Sequence, residues 1–257
     1  APAMSEAEEE KLPESTLLSH LLELRDRLMK MVIATAVIAV PCLWFADEIF
    51  TWFSEPLRAQ LPAGARLIAT SVVAPFMTPF KLALLAALYF AMPVVLYQVW
   101  AFVAPGLYRH ERRFALPLFV SSVILFYAGS VFAFYVVFPA IFRFFVATTP
   151  TGVEMLTDMT QYMDFAVLLF FAFGLAFEIP VATVLLVRTG LVKLETLSAN
   201  RGYVLLGIFV VAAFLTPPDA VSQSMMALPM YALYEFGMLM SRVLIRRKAA
   251  DADGDAA

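Results

Sequence analysis

Four long apolar runs dominate this sequence and decide which solvent it folds in. Leu28–Ala46, Phe76–Trp100, Phe114–Phe138 and Phe165–Val187 each hold 19 residues or more. A helix needs about 20 apolar residues to cross about 30 Å of hydrocarbon, and these runs reach that length. Two shorter runs follow, Tyr203–Leu215 and Val221–Ser241. Nothing between them alternates with period two, so the strand pattern of a transmembrane barrel is missing. Of 257 residues, 62% are hydrophobic and 15% charged. A water-soluble domain of that length has too little interior for so much apolar surface. The chain is therefore expected to be an all-α integral membrane protein with six transmembrane helices, the last two short. Interior prolines do not oppose this, because neighbouring helices re-satisfy the freed backbone groups.

The basic residues set the orientation. Fourteen of the 18 Lys and Arg lie in the first, third, fifth and seventh segments. They are Lys11, Arg25, Arg27 and Lys30; Arg109, Arg112 and Arg113; Arg188, Lys193 and Arg201; Arg242, Arg246, Arg247 and Lys248. The alternate loops hold Arg58, Arg66 and Arg143, with Lys81 near one end of the second span. The positive-inside rule puts both termini in the cytoplasm, and five spans instead of six would leave Arg246-Arg247-Lys248 outside. The net charge of −3 arises at the ends, from Glu6, Glu8, Glu9, Glu10 and Glu14 and from Asp251, Asp253 and Asp255. The remainder is net positive, as suits contact with anionic headgroups. Residues 1–15 read as an acidic disordered tail, 16–245 as the transmembrane domain and 246–257 as a cytoplasmic tail. The first run is too long for a cleaved signal peptide, and no small-residue cleavage site precedes Trp44-Phe45. The one cysteine, Cys42, allows neither an intrachain disulfide nor a zinc cluster. Tyr203–Leu215 reaches only about 20 Å before Thr216-Pro217-Pro218-Asp219 stops it. It either packs against longer helices or sits in a locally thinned bilayer.

Few residues are placed to do chemistry. Before the first span, Leu17, Leu21, Leu24 and Leu28 fall on one helical stripe and Ser19, Glu23, Asp26 and Lys30 on the opposite face. This predicts an amphipathic surface helix with Glu23 turned toward water or a partner; an i,i+4 pair with Arg27 fits the spacing equally. Glu111 lies among Arg109, Arg112 and Arg113 and also reads as a solvated charge cluster. His110-Glu111 is no zincin motif, because Phe114 stands where the second His belongs. Glu178, in the fourth span, and Glu235, in the sixth, are expensive to place in hydrocarbon, which marks both as functional candidates or as helix-locking acids. Trp44, Trp52 and Trp100 fit an interfacial belt. A proton-coupled transporter using Glu178 and Glu235 is one reading; the lack of an internal repeat opposes it. No paired Asp or Ser–His set in the spans supports an intramembrane protease.

Several longer stretches carry a resemblance. They are Ser19-His20-Leu21-Leu22-Glu23-Leu24-Arg25, Pro75-Phe76-Met77-Thr78-Pro79-Phe80-Lys81, and the run from Leu96-Tyr97-Gln98-Val99-Trp100 through Ala104-Pro105-Gly106-Leu107 to Tyr108-Arg109-His110-Glu111-Arg112-Arg113. Phe173-Gly174-Leu175-Ala176-Phe177-Glu178-Ile179-Pro180 and Leu215-Thr216-Pro217-Pro218-Asp219 complete the set. In that order they resemble TatC, the multi-spanning subunit of the twin-arginine protein translocase, over roughly residues 16–245. The resemblance implies a cupped six-helix bundle in the bacterial cytoplasmic (inner) membrane. It implies a non-enzymatic receptor for precursor proteins with twin-arginine signal peptides, with Glu23 and Glu111 at the matching binding positions. It further implies single-span TatA/TatB-like partner subunits, self-association, contact with membrane lipid, and export driven by the proton-motive force. No cofactor, metal or nucleic acid is implied. Glu178 has no polar neighbour in its own helix, and is expected to be a partner-docking or intramembrane polar site. In its neutral form it donates a hydrogen bond as well as accepting one.

Overall fold

The computed structural model describes residues 12–59, 67–103, 112–150, 156–216 and 219–254. Helix α1 (Leu12–Trp44) runs unbroken for 33 residues. The amphipathic segment and the first span are thus one helix, whose start takes in the last residues of the expected N-terminal tail. Helix α2 (Ala46–Arg58) is short and lies outside the spans, with Asp47 and Glu48 in its first turn and Arg58 in its last, matching the helix dipole at both ends. Its charged face kept it out of the hydropathy reading. Trp52 on α2 stacks on Phe134 with ring centroids 4.6 Å apart. Helix α3 (Ala74–Val103) is the second crossing.

The third crossing is composite: α4 (Arg112–Phe132), a π-helical turn (Ala133–Val137) and α5 (Phe138–Thr148). Pro139 follows the turn and cannot donate to the carbonyl four residues back, so the helix widens there and Phe138 N–H donates to Ala133 C=O. The fourth crossing is broken for the same reason. Where one helix was expected over Phe165–Val187, the chain forms α6 (Met159–Ala176) and α7 (Ile179–Arg188). Pro180 sits in the first turn of α7 and leaves Ala176 C=O without its helical donor; Glu178 N–H turns back to Leu175 C=O at 3.0 Å. A short α8 (Leu194–Ala199) leads to α9 (Arg201–Leu215) and α10 (Ala220–Gly254). The 15 residues of α9 span about 22 Å. Beyond its apolar part, α10 continues as helix through the basic and acidic C-terminal residues to Gly254.

Four crossings are long and apolar by composition: Leu21–Trp44, Ala74–Phe102, Leu116–Thr148 and Met159–Arg188. With α9 and α10 they make six. The core lies where α4, α5, α6 and α10 meet, around fully buried Phe126, Phe138, Ile141, Leu169, Phe173 and Met226. Helix α1 packs chiefly on α3, through Cys42 against Ala83 and Ala87. Small residues permit two close crossings. A Cβ on Gly129 of α4 would stand 2.4 Å from the Phe173 carbonyl oxygen on α6, and one on Gly237 of α10 would stand 2.8 Å from Pro180 Cα on α7.

The loop side opposite the termini is tied down by polar contacts. Ile68 N–H donates to Thr157 C=O at 3.0 Å and Met159 N–H to Ile68 C=O at 2.9 Å. Asp158 caps α6, accepting from Thr160 and Gln161 N–H through one oxygen and from the Thr70 N–H and hydroxyl through the other. These donors, led by Gln161 N–H and then the Thr70 hydroxyl, hold its carboxyl down at about 2. Thr78 meets Thr160 at 2.9 Å, and Lys81 pairs with Asp164, so α3 and α6 are joined at this end.

Candidate functional site

Glu23 is partly exposed and partly turned toward its own bundle. The residues of α1 turned inward are Glu23, Arg27, Met31, Thr35, Ile38 and Cys42, while Leu21, Leu24 and Leu28 are exposed. The leucine stripe is exposed, and so is most of the expected polar face, Ser19, Asp26 and Lys30. Of that face only Glu23, with Arg27 beside it, turns partly toward the neighbouring helix. There Glu23 Oε1 accepts from Arg27 Nε at 3.0 Å and also from Arg27 Nη2. Arg27 Nη1 in turn donates to Gln98 Oε1 on α3 at 3.4 Å. The Arg27 side chain is 19% exposed and Glu23 37% exposed. Gln98 is buried. So the carboxylate stands at the rim and the guanidinium behind it. Among the described residues no hydrogen bond reaches Glu23 Oε2. Arg25 and Asp26 pair with each other on the exposed side. Glu111 lies outside the described residues.

Glu178 sits in the turn between α6 and α7. Ser122 on α4 donates its hydroxyl to Glu178 Oε2, and Trp100 on α3 donates its indole N–H to Ser122 Oγ at 3.3 Å. Among the described residues the buried Oε1 has no hydrogen-bond partner. A buried polar atom left unpaired costs about 1–3 kcal/mol, so this oxygen is poised for a further contact. The intramembrane acid therefore has a polar partner, supplied by a helix distant in sequence. Trp100, assigned to the interfacial belt, is a hydrogen-bond donor in this chain of contacts. Its neighbour Gln98, two residues earlier on the opposite face of α3, serves the Glu23 site. Sequence reasoning assigned no role to Gln98, Ser122 or Arg27 beyond pairing; only the helix neighbours reveal them.

Glu235 differs from Glu178. Its Oε1 accepts from the Tyr231 hydroxyl at 2.8 Å and lies 3.1 Å from Arg201 Nε at the start of α9. That pair is in ion contact without the alignment of a hydrogen bond. Tyr234 donates to Leu197 C=O at 2.8 Å, so this end of α10 is fastened to α8 and α9. Glu235 thus joins the start of α9 to α10, unlike Glu178, whose hydrogen-bond partner among the described residues is a neutral hydroxyl.

The comparisons with known proteins converge. The family model described as Sec-independent protein translocase protein (TatC) matches residues 19–229. A "Sec-independent protein translocase protein TatC" of Azotobacter chroococcum mcd 1 is 53% identical over 239 residues, covering 93% of this chain and 94% of that protein. The protein of the same name from Escherichia coli (strain K12) is 50% identical over 229 residues, covering 89% of each. A crystal structure titled as the twin arginine translocase receptor TatC superposes with a TM-score of 0.78 at 33% identity, over 87% of this chain and 98% of that one. With a family model matched over residues 19–229, half its residues shared with such relatives and the fold of that solved receptor, this chain belongs to the Sec-independent protein translocase protein (TatC) family.

Proposed function

We propose that the chain is the signal-peptide receptor and core subunit of its translocase, taking the paired arginines of twin-arginine signal peptides at Glu23 and Glu111. As a member of this family it is an integral membrane transport component and not an enzyme. The observation that carries the reading is Glu23 itself: a partly exposed carboxylate, held at the cytoplasmic end of α1, with one oxygen that takes no hydrogen bond among the described residues. A guanidinium presents planar N–H donors that match a carboxylate and stays protonated at every physiological pH. Two arginines meeting two acids at fixed places give a selective clamp, while the apolar part of the signal adds affinity by lying along the bundle. Residues 16–245 act as the translocating unit, flanked by the tails 1–15 and 246–257. Single-span TatA/TatB-like subunits and further copies of the chain assemble on it, and the proton-motive force drives passage.

The experiment is binding of a fluorescent twin-arginine signal peptide to the protein in nanodiscs, read by anisotropy. Glu23→Ala and Glu111→Ala are each expected to weaken binding about tenfold or more, as for a charged hydrogen bond of about 1.5–3 kcal/mol. Affinity is expected to fall as salt rises. Wild-type affinity in the double variant would end the clamp reading.

A further inference from the structure

Arg27 stands in a peculiar place for a site that is to bind arginine. It already occupies Glu23. Two of its nitrogens, Nε and Nη2, reach the same oxygen, Oε1, and its third, Nη1, is tied to Gln98 on α3. It is the more buried partner of the pair, so a ligand arriving from the cytoplasm meets Glu23 first. An incoming side chain need not displace Arg27, because Oε2 is open among the described residues.

We propose that Arg27, braced by buried Gln98, is a specificity-determining positioning residue that makes the Glu23 site prefer a guanidinium to an ammonium. This rests on the reading of Glu23 as a receptor carboxylate. A bare carboxylate attracts any cation, and lysine and arginine carry the same charge. Arg27 offsets that charge at close range, so the Coulomb attraction left for either ligand is small, and its own repulsion falls on both alike. What distinguishes the ligands is then hydration and geometry. The ammonium is a compact, strongly hydrated point charge that loses much on leaving water. The guanidinium is weakly hydrated and aims several donors in one plane at a fixed oxygen. Holding Oε1 also fixes the carboxylate plane, so Oε2 is offered in one direction, which rewards the directional ligand. Gln98 keeps Arg27 from swinging out with Glu23 into solvent.

The test compares two labelled signal peptides, identical except for a twin-arginine or a twin-lysine pair, on the same full-length protein in nanodiscs. In Arg27→Gln the twin-lysine peptide is expected to gain affinity more than the twin-arginine peptide, cutting the lysine/arginine ratio of Kd values by roughly fivefold or more. Each ratio is taken within one preparation, so a general loss of folded protein does not move it. Should Arg27→Gln fail to fold, Gln98→Leu serves, because it releases the brace and leaves the charge; its ratio is expected to fall at least about twofold. An unchanged or increased ratio in the folded variant overturns the proposal. Glu23→Ala separates the layers. If it leaves twin-arginine binding intact, the receptor reading of Glu23 itself fails. If it weakens that binding while Arg27→Gln keeps the ratio, only the role of Arg27 is lost.

Discussion

At the residue scale, the two acids in the spans have opposite circumstances. Glu235 has an arginine and a tyrosine within reach. Glu178 has the Ser122 hydroxyl on one oxygen and, among the described residues, no hydrogen bond on the other. An acid in hydrocarbon with one oxygen unpaired suits a polar side chain brought by a partner's single transmembrane helix. Glu178→Gln keeps the shape and both hydrogen-bonding roles, and is expected to retain most export. Glu178→Ala is expected to leave signal-peptide binding within about twofold while reducing partner crosslinking and export, since a lost buried contact of about 1–3 kcal/mol falls on the docking step alone. The measurement pairs site-specific crosslinking with thermal melting in detergent. A melting temperature that falls together with signal binding would reassign Glu178 to packing between α4 and α6.

At the element scale, the bundle depends on close crossings more than on ion pairs. The Lys81–Asp164 pair is about half exposed, where such contacts contribute about 0–1 kcal/mol. Gly129 is different, because a Cβ there has the Phe173 carbonyl oxygen 2.4 Å away and the Phe177 ring 2.8 Å away. Neither backbone nor a packed ring can retreat without parting α4 from α6 near the Glu178 turn. Gly129→Ala is expected to destabilise the protein by about 1–3 kcal/mol, read as a lower melting temperature in detergent. Gly207→Ala on α9 is the control: a Cβ there meets nothing within 4 Å. Alanine is the better helix former by about 0.8–1 kcal/mol, so that variant is expected to melt no lower than wild type. Equal losses at the two positions would contradict the tight crossing. The helix breaks belong to this scale too. Pro139 and Pro180 each remove one donor, yet one produces a π turn and the other a full break, because the second falls where Glu178 can turn its own N–H back to Leu175.

At the scale of the whole molecule, orientation is the property that function requires. A receptor role for Glu23, as proposed, requires it on the side where precursors are made, and the basic residues place both termini there. Single cysteines at Ala63 and Gly152, in a Cys42→Ser background, are expected to react with an impermeant thiol reagent added to intact cells. Cysteines at Ala104 and Ala199 are expected to stay protected until the membrane is opened. Labelling of position 104 from outside would overturn the six-span, both-ends-in arrangement. The loop knot around Asp158, with α2, then lies on the outer side and closes that face of the bundle, whereas the cytoplasmic face carries the Glu23 site.

Hydropathy and charge are sums over neighbours in the chain, so properties built from such sums were legible without coordinates. The membrane as solvent, the six crossings, the cytoplasmic termini and the shortness of α9 all follow from apolar run lengths and the placing of Lys and Arg. The resemblance of whole motifs added the family, which the comparisons bear out, and the proposal of Glu23 and Glu111 as receptor positions. What depended on which helices stand side by side was not legible. Arg27 turns inward because α3 offers Gln98 there, 71 positions away in sequence, and Glu23 is drawn to the rim beside it. Glu178 finds Ser122 across 56 positions, and Ser122 in turn is met by Trp100 from a third helix. Glu235 is neutralised by Arg201 because α9 and α10 fold back on each other. A polar group in hydrocarbon takes whatever partner the packing brings, and only the tertiary structure decides which one arrives.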